Sequence, residues 1–196
     1  MKKSFLFGCF LLASVLTFAQ DLPKTSKFSI GPSVGFGHSY LTPFNCEFFP
    51  TWSAGIISVY APIKWFGLGV DVRYSSEGSR TKIQEGGTRT TTLNYIRVPV
   101  KAMFFFGDVE DDFRPKVTVG PSFGFLVSET DPYDAKVWPF DAGINASLGF
   151  NYRLKEAVWL NTDINFYQGL TDVRRESGVQ ERNANIGLNL GIAFGL

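Results

Sequence analysis

The sequence predicts an all-β fold: an eight-stranded antiparallel up-and-down transmembrane β-barrel, preceded by a cleavable signal peptide. Three observations predict it. Apolar and polar residues alternate with a period of two from about residue 27 to the end, the signature of strands with two unlike faces. The polar face is mostly Gly, Ser and Asn rather than Lys or Glu. The connections between strands fall into a shorter and a longer class that alternate, as in bacterial outer-membrane barrels. Composition agrees. Charged residues are 19% of the 196, against roughly 25% for a soluble domain, aromatics are 16%, and mean hydropathy is only +0.02.

The first element is a leader. Lys2 and Lys3 precede an apolar stretch from Phe5 to Leu16, and Thr17-Phe18-Ala19 offers small residues at a cleavage site, so a cut after Ala19 is expected. The apolar stretch is shorter than the ~20 residues of a spanning helix. The chain thus divides into a signal peptide, 1–19, and an outer-membrane β-barrel domain, 20–196. Losing Lys2 and Lys3 takes 19 basic and 18 acidic residues to 17 and 18, a net charge of −1, which gives no reason to expect nucleic acid. Cys9 lies inside the leader and Cys46 is the other cysteine. The mature chain has no intramolecular disulfide and no cysteine metal site. No cofactor or metal is expected.

Strand one, "KFSIGPSVGFGHSY", sets Phe28, Ile30, Pro32, Val34 and Phe36 against Ser29, Gly31, Ser33, Gly35 and Gly37. Strand two, "TWSAGIISVYAP", alternates worst, because Ile57 and Val59 fall on the face that should be polar. Strand three, "WFGLGVDVRYSS", opposes Phe66, Leu68, Val70, Val72 and Tyr74 to Gly67, Gly69, Asp71, Arg73 and Ser75. Strand four, "LNYIRVPVKAMFFF", opposes Ile96, Val98, Val100, Ala102 and Phe104 to Tyr95, Arg97, Pro99 and Lys101. Strands five to seven are "KVTVGPSFGFLVS", "WPFDAGINASLGFNY" and "VWLNTDINFYQG", and "NIGLNLGIAFGL" is the eighth. Short connections are expected at Ile63-Lys64, at "GDVEDDFRP" and at Leu154-Lys155. Longer ones are expected at 41–50, 76–90, 129–137 and 170–181.

Two barrels fit this pattern. A soluble lipocalin-like barrel turns its apolar face inward and shows water a charged one, whereas a membrane barrel does the reverse. A solvated exterior carries many charges, while small residues suit a narrow lumen filled by side chains. Five or six apolar residues per strand match a bilayer crossing. The sequence therefore places the apolar face in lipid and the protein in the outer membrane. Pro32, Pro99 and Pro121 lie within strands, where β-bulges are the expected accommodation. Trp52 and Trp138 flank long connections as girdle residues, while Trp65 and Trp159 share the lumen parity at the other end, where they would cap the mouth. "GPSVGF" (31–36) and "GPSFGF" (120–125) are near-copies.

A leader ending Ala-Gln, "NYIRVPVKAMFFFG" running by a short turn into "RPKVTVGPSFGFLVS", and a glycine-studded last strand together resemble the outer-membrane β-barrel domain family of Bacteroidota, sometimes called PorT-like. The resemblance covers about residues 20–196 and is clearest over 94–128. It implies the same barrel and, from the PorT-like name, a part in an envelope secretion machinery. The chain end resembles the signal read by the outer-membrane assembly machinery: polar Asn189, Gly191, then apolar Phe194 and Leu196, with Leu196 standing where an aromatic is usual.

Candidate chemistry is sparse. His38 is the only histidine. With Ser39 it would suit a lipid-modifying enzyme, but adjacent strand residues point to opposite faces, so base and nucleophile do not converge. No catalytic residue is assigned. Asp108, Glu110, Asp111 and Asp112 form an acidic turn without the spacing of a calcium loop. Arg174 and Arg175 are either a surface pair or a grip on anionic lipid headgroups. Asp71, Arg73, Arg97, Lys101 and Asp163 share the inward parity; opposite charges in a narrow lumen should pair, giving a polar plug that rigidifies the barrel. The expected role is non-enzymatic, structural or in surface interaction through extracellular loops. Outer-membrane lipids, lipopolysaccharide, the assembly machinery and envelope proteins are the expected partners. An envelope-machinery component is the alternative, followed by a lipid-modifying enzyme and a soluble binding barrel.

Overall fold

The structure is a computed structural model that describes residues 26–42, 47–82, 87–108, 110–130, 136–175 and 180–196. The expected leader and Cys46 lie outside the described residues. Nine strands run β1 Phe28–Thr42, β2 Pro50–Ile63, β3 Phe66–Val70, β4 Val72–Lys82, β5 Thr88–Phe105, β6 Phe113–Thr130, β7 Phe140–Lys155, β8 Val158–Gly169 and β9 Arg182–Gly195. All pairings are antiparallel, and β1 bonds both β2 and β9, so the sheet closes.

The expected eight strands become nine because strand three is interrupted at Asp71. β3 and β4 form one stave, since β2 and β5 each pair with both. The register is unbroken, with Val70 opposite Val100 and Arg73 opposite Arg97. Asp71 therefore faces Pro99. The Asp71 N–H donates to the Pro99 carbonyl at 3.1 Å, but proline has no N–H to return. Eight staves make the ring.

The apolar face is outside. Val34, Phe36, Leu68, Val72, Leu148, Ile164 and Leu188 are exposed, whereas Arg97, Lys101, Asn145 and Ser147 are buried. This overturns the lipocalin-like alternative. Ile57 and Val59 keep their parity and point inward, so the alternation of β2 is intact and it is the lumen that is not uniformly polar. Val59 packs with Met103 and Phe105 at the end of the short turns. Leu41, Leu93, Tyr95, Val137 and Val173 form a second apolar cluster at the opposite, loop-bearing end.

Three further expectations change. Bulges do not form at the prolines: Pro32 pairs with Ile56, Pro99 with Ser122 and Pro121 with Ile144 in continuous register. The register shifts lie instead at Tyr60/Ile63, Asn94/Tyr95 and Arg153/Lys155. Each proline omits a ladder donor in place. The long connection expected at 76–90 is largely strand, with Glu77–Lys82 paired to Thr88–Leu93; both stretches are polar, and the Thr90-Thr91-Thr92 run favours extended backbone. Trp65 does not join the lumen and is 57% exposed, because it sits in the β2–β3 turn where strand parity has lapsed. Trp159 does line the lumen mouth.

The repeated "GPS-x-GF" motif has a steric account. A Cβ at Gly31 or Gly120 would strike the backbone carbonyl of Ile192 or Val100 on the adjacent stave. A Cβ at Gly35 or Gly124 would strike a lumen side chain, Asn189 or Arg97. Both copies solve the same crowding.

Lipid-face charge should be penalised by depth. Leu190→Arg, at mid-strand, is expected to cost about 2–4 kcal/mol, and Phe28→Arg, at the mouth, about 0–1 kcal/mol. Urea unfolding in lipid vesicles measures both.

Candidate functional site

The lumen is the chemically distinctive part of the molecule, and its charges stack in layers between the two apolar clusters. Arg97 on β5 is 3% exposed. Its Nε donates to Glu77 Oε1 at 2.8 Å and its Nη2 to Glu77 Oε2 at 2.6 Å, a bidentate pair. The same Nη2 donates to Asp141 Oδ2 at 2.7 Å. The guanidinium carbon lies 4.6 Å from the Tyr95 ring centroid and 4.2 Å from that of Tyr167. One cation is thus held in plane by two carboxylates and from its faces by two aromatic rings.

The carboxylates are held in turn. Asp141 accepts from Tyr167 Oη at 3.0 Å, Thr171 Oγ1 at 2.7 Å and Asn183 Nδ2 at 2.9 Å. Ser75 Oγ donates to Glu77 Oε1 at 2.8 Å. With one buried cation against two buried carboxylates, these neutral donors offset the surplus negative charge, and desolvation makes each of them necessary.

A second layer lies toward the short turns. Lys101 Nζ meets Asp71 Oδ2 at 2.6 Å. Lys116 Nζ meets Asp163 Oδ2 at 3.2 Å and donates to Asn151 Oδ1 at 2.7 Å and Asn161 Oδ1 at 3.0 Å. Thr118 and Ser147 share a hydrogen bond of 2.7 Å, and Ser147 donates to Asp163 Oδ1 at 3.2 Å. Cavities of about 40 Å³ and 20 Å³ remain among these side chains, room for about three waters and one. Among these layers, described side chains therefore fill the lumen apart from water-sized gaps.

The five lumen charges read from the sequence do not all bind one another. Asp71 and Lys101 pair directly, but Arg97 takes Glu77 and Asp141, and Asp163 takes Lys116. Among the described residues Arg73 pairs with no acid; its Nη1 donates to Asn189 Oδ1 at 3.1 Å. The single plug is layered clusters, and three of its charges were missed. Glu77 continues the parity of Asp71, Arg73 and Ser75, but lay beyond the stretch read as strand. Lys116 shares the parity of Thr118, and Asp141 stood on the polar face without being counted as a lumen charge. The aromatic partners Tyr95 and Tyr167 carried no signal beyond parity.

The remaining candidates take structural positions. Asn189 faces the lumen, and a Cβ on Gly191 would press on Ile57 and the Pro32 carbonyl. Phe194 is half-buried, Leu196 is exposed, and the Leu196 N–H donates to the Phe28 carbonyl at 3.0 Å. His38 stacks between Tyr40 and Phe48, and its Nδ1 accepts the Phe49 N–H at 3.1 Å. Ser39 points inward instead, to the backbone of Gly78 at 2.8 Å. In the acidic turn, Asp111 Oδ2 accepts the Asp108 N–H at 2.7 Å, and Asp108 pairs with Lys64 at 2.9 Å; that hydrogen bond, with the charge behind it, holds the Lys64 ammonium above its ordinary value. Among the described residues no cluster of three or more His, Cys, Asp or Glu is placed to hold a metal ion. Arg174 is not a lipid contact: it is buried and pairs with Glu181 at 2.7 Å. Burial pushes the Glu181 carboxyl up against the opposing pull of Arg174. Arg175 lies over the exposed Trp138 ring at 4.6 Å.

Removing Arg97 strands two buried carboxylates. Arg97→Met is expected to cost about 3–5 kcal/mol, and Arg97→Met/Glu77→Gln/Asp141→Asn, which discharges the cluster together, should recover much of that loss. Urea unfolding in lipid vesicles compares the two. Gly124→Ala places a Cβ 2.7 Å from Arg97 Nη1 and should weaken the same cluster.

Comparison with known proteins agrees with this architecture. The crystal structure of the outer membrane protein OprG from Pseudomonas aeruginosa superposes with a TM-score of 0.61 at 13% identity, covering 89% of this chain and 97% of that one. Neisserial surface protein A gives 0.57 at 14% identity, covering 87% and 98%. The solution structure of E. coli outer membrane protein W gives 0.53 at 13% identity, covering 88% and 98%. At such identities the likeness is one of fold. Among curated proteins none matches the sequence. The family model described as "Outer membrane protein beta-barrel domain" matches residues 18–175. This chain belongs to that family, and its place is the outer membrane.

Proposed function

We propose that the protein is a non-enzymatic barrel that works at its extracellular end, where loops and strand extensions contact surface partners and lipopolysaccharide. The observation that carries this reading is the filled lumen. Arg97, Lys101 and Lys116 are each buried and paired within it, and apolar clusters lie at both ends, so the reading assigns the interior to stability. Arg175 on Trp138 supports a lipid contact: the guanidinium lies over an exposed indole, and the Arg175 backbone N–H bonds the carbonyl of Lys136, a second cationic residue, at 3.1 Å. Anionic headgroups favour that combination. The last strand fits the same life history, with Asn189, Gly191, Phe194 and Leu196 as the segment offered to the assembly machinery.

The PorT-like resemblance to proteins of Bacteroidota supports a second reading, a component of an envelope secretion machinery. That role adds protein partners on either side of the membrane and leaves the filled lumen unchanged.

Planar-bilayer recordings should give little current; a large steady conductance would end the closed-lumen reading. Lys136→Ala and Arg175→Ala should each lower retained lipopolysaccharide about fivefold, from roughly 1 kcal/mol per interfacial cation, as read by co-purification. Unchanged retention in both would remove the lipid contact. Lipid A profiles of a deletion strain should match wild type, and pull-down from outer membranes separates a machinery component from a free-standing barrel.

A further inference from the structure

The short-turn end of the barrel holds a cavity of about 320 Å³, at the lower end of the range of small-molecule sites, about 300–1,000 Å³. It opens at the mouth opposite the extracellular loops, hence to the periplasm. Its walls are Val59, Ala61, Phe105, Ala157 and Trp159, with Arg114 among them. Arg114, on β6, is only 5% exposed. Among the described residues it makes one hydrogen bond, from Nη2 to the Lys64 carbonyl at 2.6 Å. Its Nε is buried without a partner. Its guanidinium carbon lies 4.4 Å from the Phe105 ring centroid, so the ring fixes the cation without neutralising it.

Like Arg73, which settles on Asn189, Arg114 differs in this from three other lumen cations. Arg97, Lys101 and Lys116 each have a carboxylate at 3.2 Å or less, whereas no ion pair of Arg114 occurs among the described residues. The other charges lining the cavity are Lys27, Lys64 and Glu156; Lys64 is held by Asp108, which leaves Arg114 and Lys27 against Glu156, one positive charge in surplus. A buried, aromatic-backed guanidinium with unused donors is a ready site for an anionic oxygen. The apolar walls would take an aryl or short alkyl body.

We propose that this vestibule is a binding site for small anionic amphiphiles from the periplasm: a carboxylate or phosphate on Arg114, with the apolar portion between Phe105 and Trp159. The site is separate from the extracellular surface and adjoins the lower lumen layer at Asn151, which accepts from Lys116.

The test uses the full barrel in lipid nanodiscs and 3-phenylpropionate as probe, with the neutral 3-phenylpropanamide alongside. Amide resonances of Phe105, Ala157 and Trp159 should shift saturably with the anion, and the amide should bind at least about tenfold more weakly, from the loss of a charge-assisted bond. Arg114→Gln should bring the two probes to equal affinity. Ala61→Phe, which fills the cavity from β2 and leaves the cation in place, should abolish binding of both; it also decides the matter if Arg114→Gln fails to fold. Equal affinity of the two probes in wild type, absence of saturable shifts at the vestibule, or unchanged binding in Ala61→Phe would overturn the proposal.

Discussion

Every part of this structure depends on one constraint: in hydrocarbon, a backbone N–H or C=O must find its partner within the protein. An open sheet leaves two edges, and each edge group unpaired in lipid costs several kcal/mol. The closure of β1 onto both β2 and β9 removes those edges. Closure then dictates the rest. Once the sheet is a cylinder, one face of each strand meets lipid and the other meets a lumen too narrow to hold bulk water, so alternation becomes obligatory along every stave. The three strand prolines show how much slack remains. Each forfeits one donor, and the ladder on either side holds register without a bulge.

The inside obeys a different economy from the outside. Lipid asks only that a side chain be apolar, which is why the outer band is an undifferentiated run of Val, Ile, Leu and Phe. The lumen asks for mutual satisfaction. Arg97 is fixed by two carboxylates and two tyrosine rings, and Asp141 by three neutral donors besides. Glycines make room for this, since the space beside Arg97 exists because Gly124 has no side chain. Apolar clusters at both ends separate these charges from bulk solvent and strengthen every pair between them.

In the middle of the barrel Arg97, Lys101 and Lys116 each meet a carboxylate, although Arg97 Nη1, Asp71 Oδ1, Asn145 Oδ1 and Asn161 Nδ2 find no hydrogen-bond partner among the described residues. At the loop-bearing end Arg175 lies over the exposed Trp138 ring, and His38 pins the Phe48–Phe49 segment to β1. At the short-turn mouth Arg114 Nε is buried without a partner among the described residues.

Much of the fold was legible in the sequence, because period two survives in each strand and reports directly which residues meet lipid. The outward face, the closed barrel and the inward parity of Asp71, Arg73, Arg97, Lys101 and Asp163 were all readable as local pattern. Partnership was not. That Arg97 meets Glu77 and Asp141, that Lys116 takes Asp163, and that Arg73 settles on an asparagine depend on stave register and barrel curvature. Those bring together residues from 20 to 116 positions apart, and no local rule encodes them. The same limit explains Asp71, whose break in the strand arises from a proline 28 residues away. Within the strands, sequence by itself determined which face each side chain takes, since that follows from the geometry of a single strand; Trp65, in a turn, escaped it. Only the tertiary structure decided what each inward side chain finds there, because closing the ring sets the distances across the lumen.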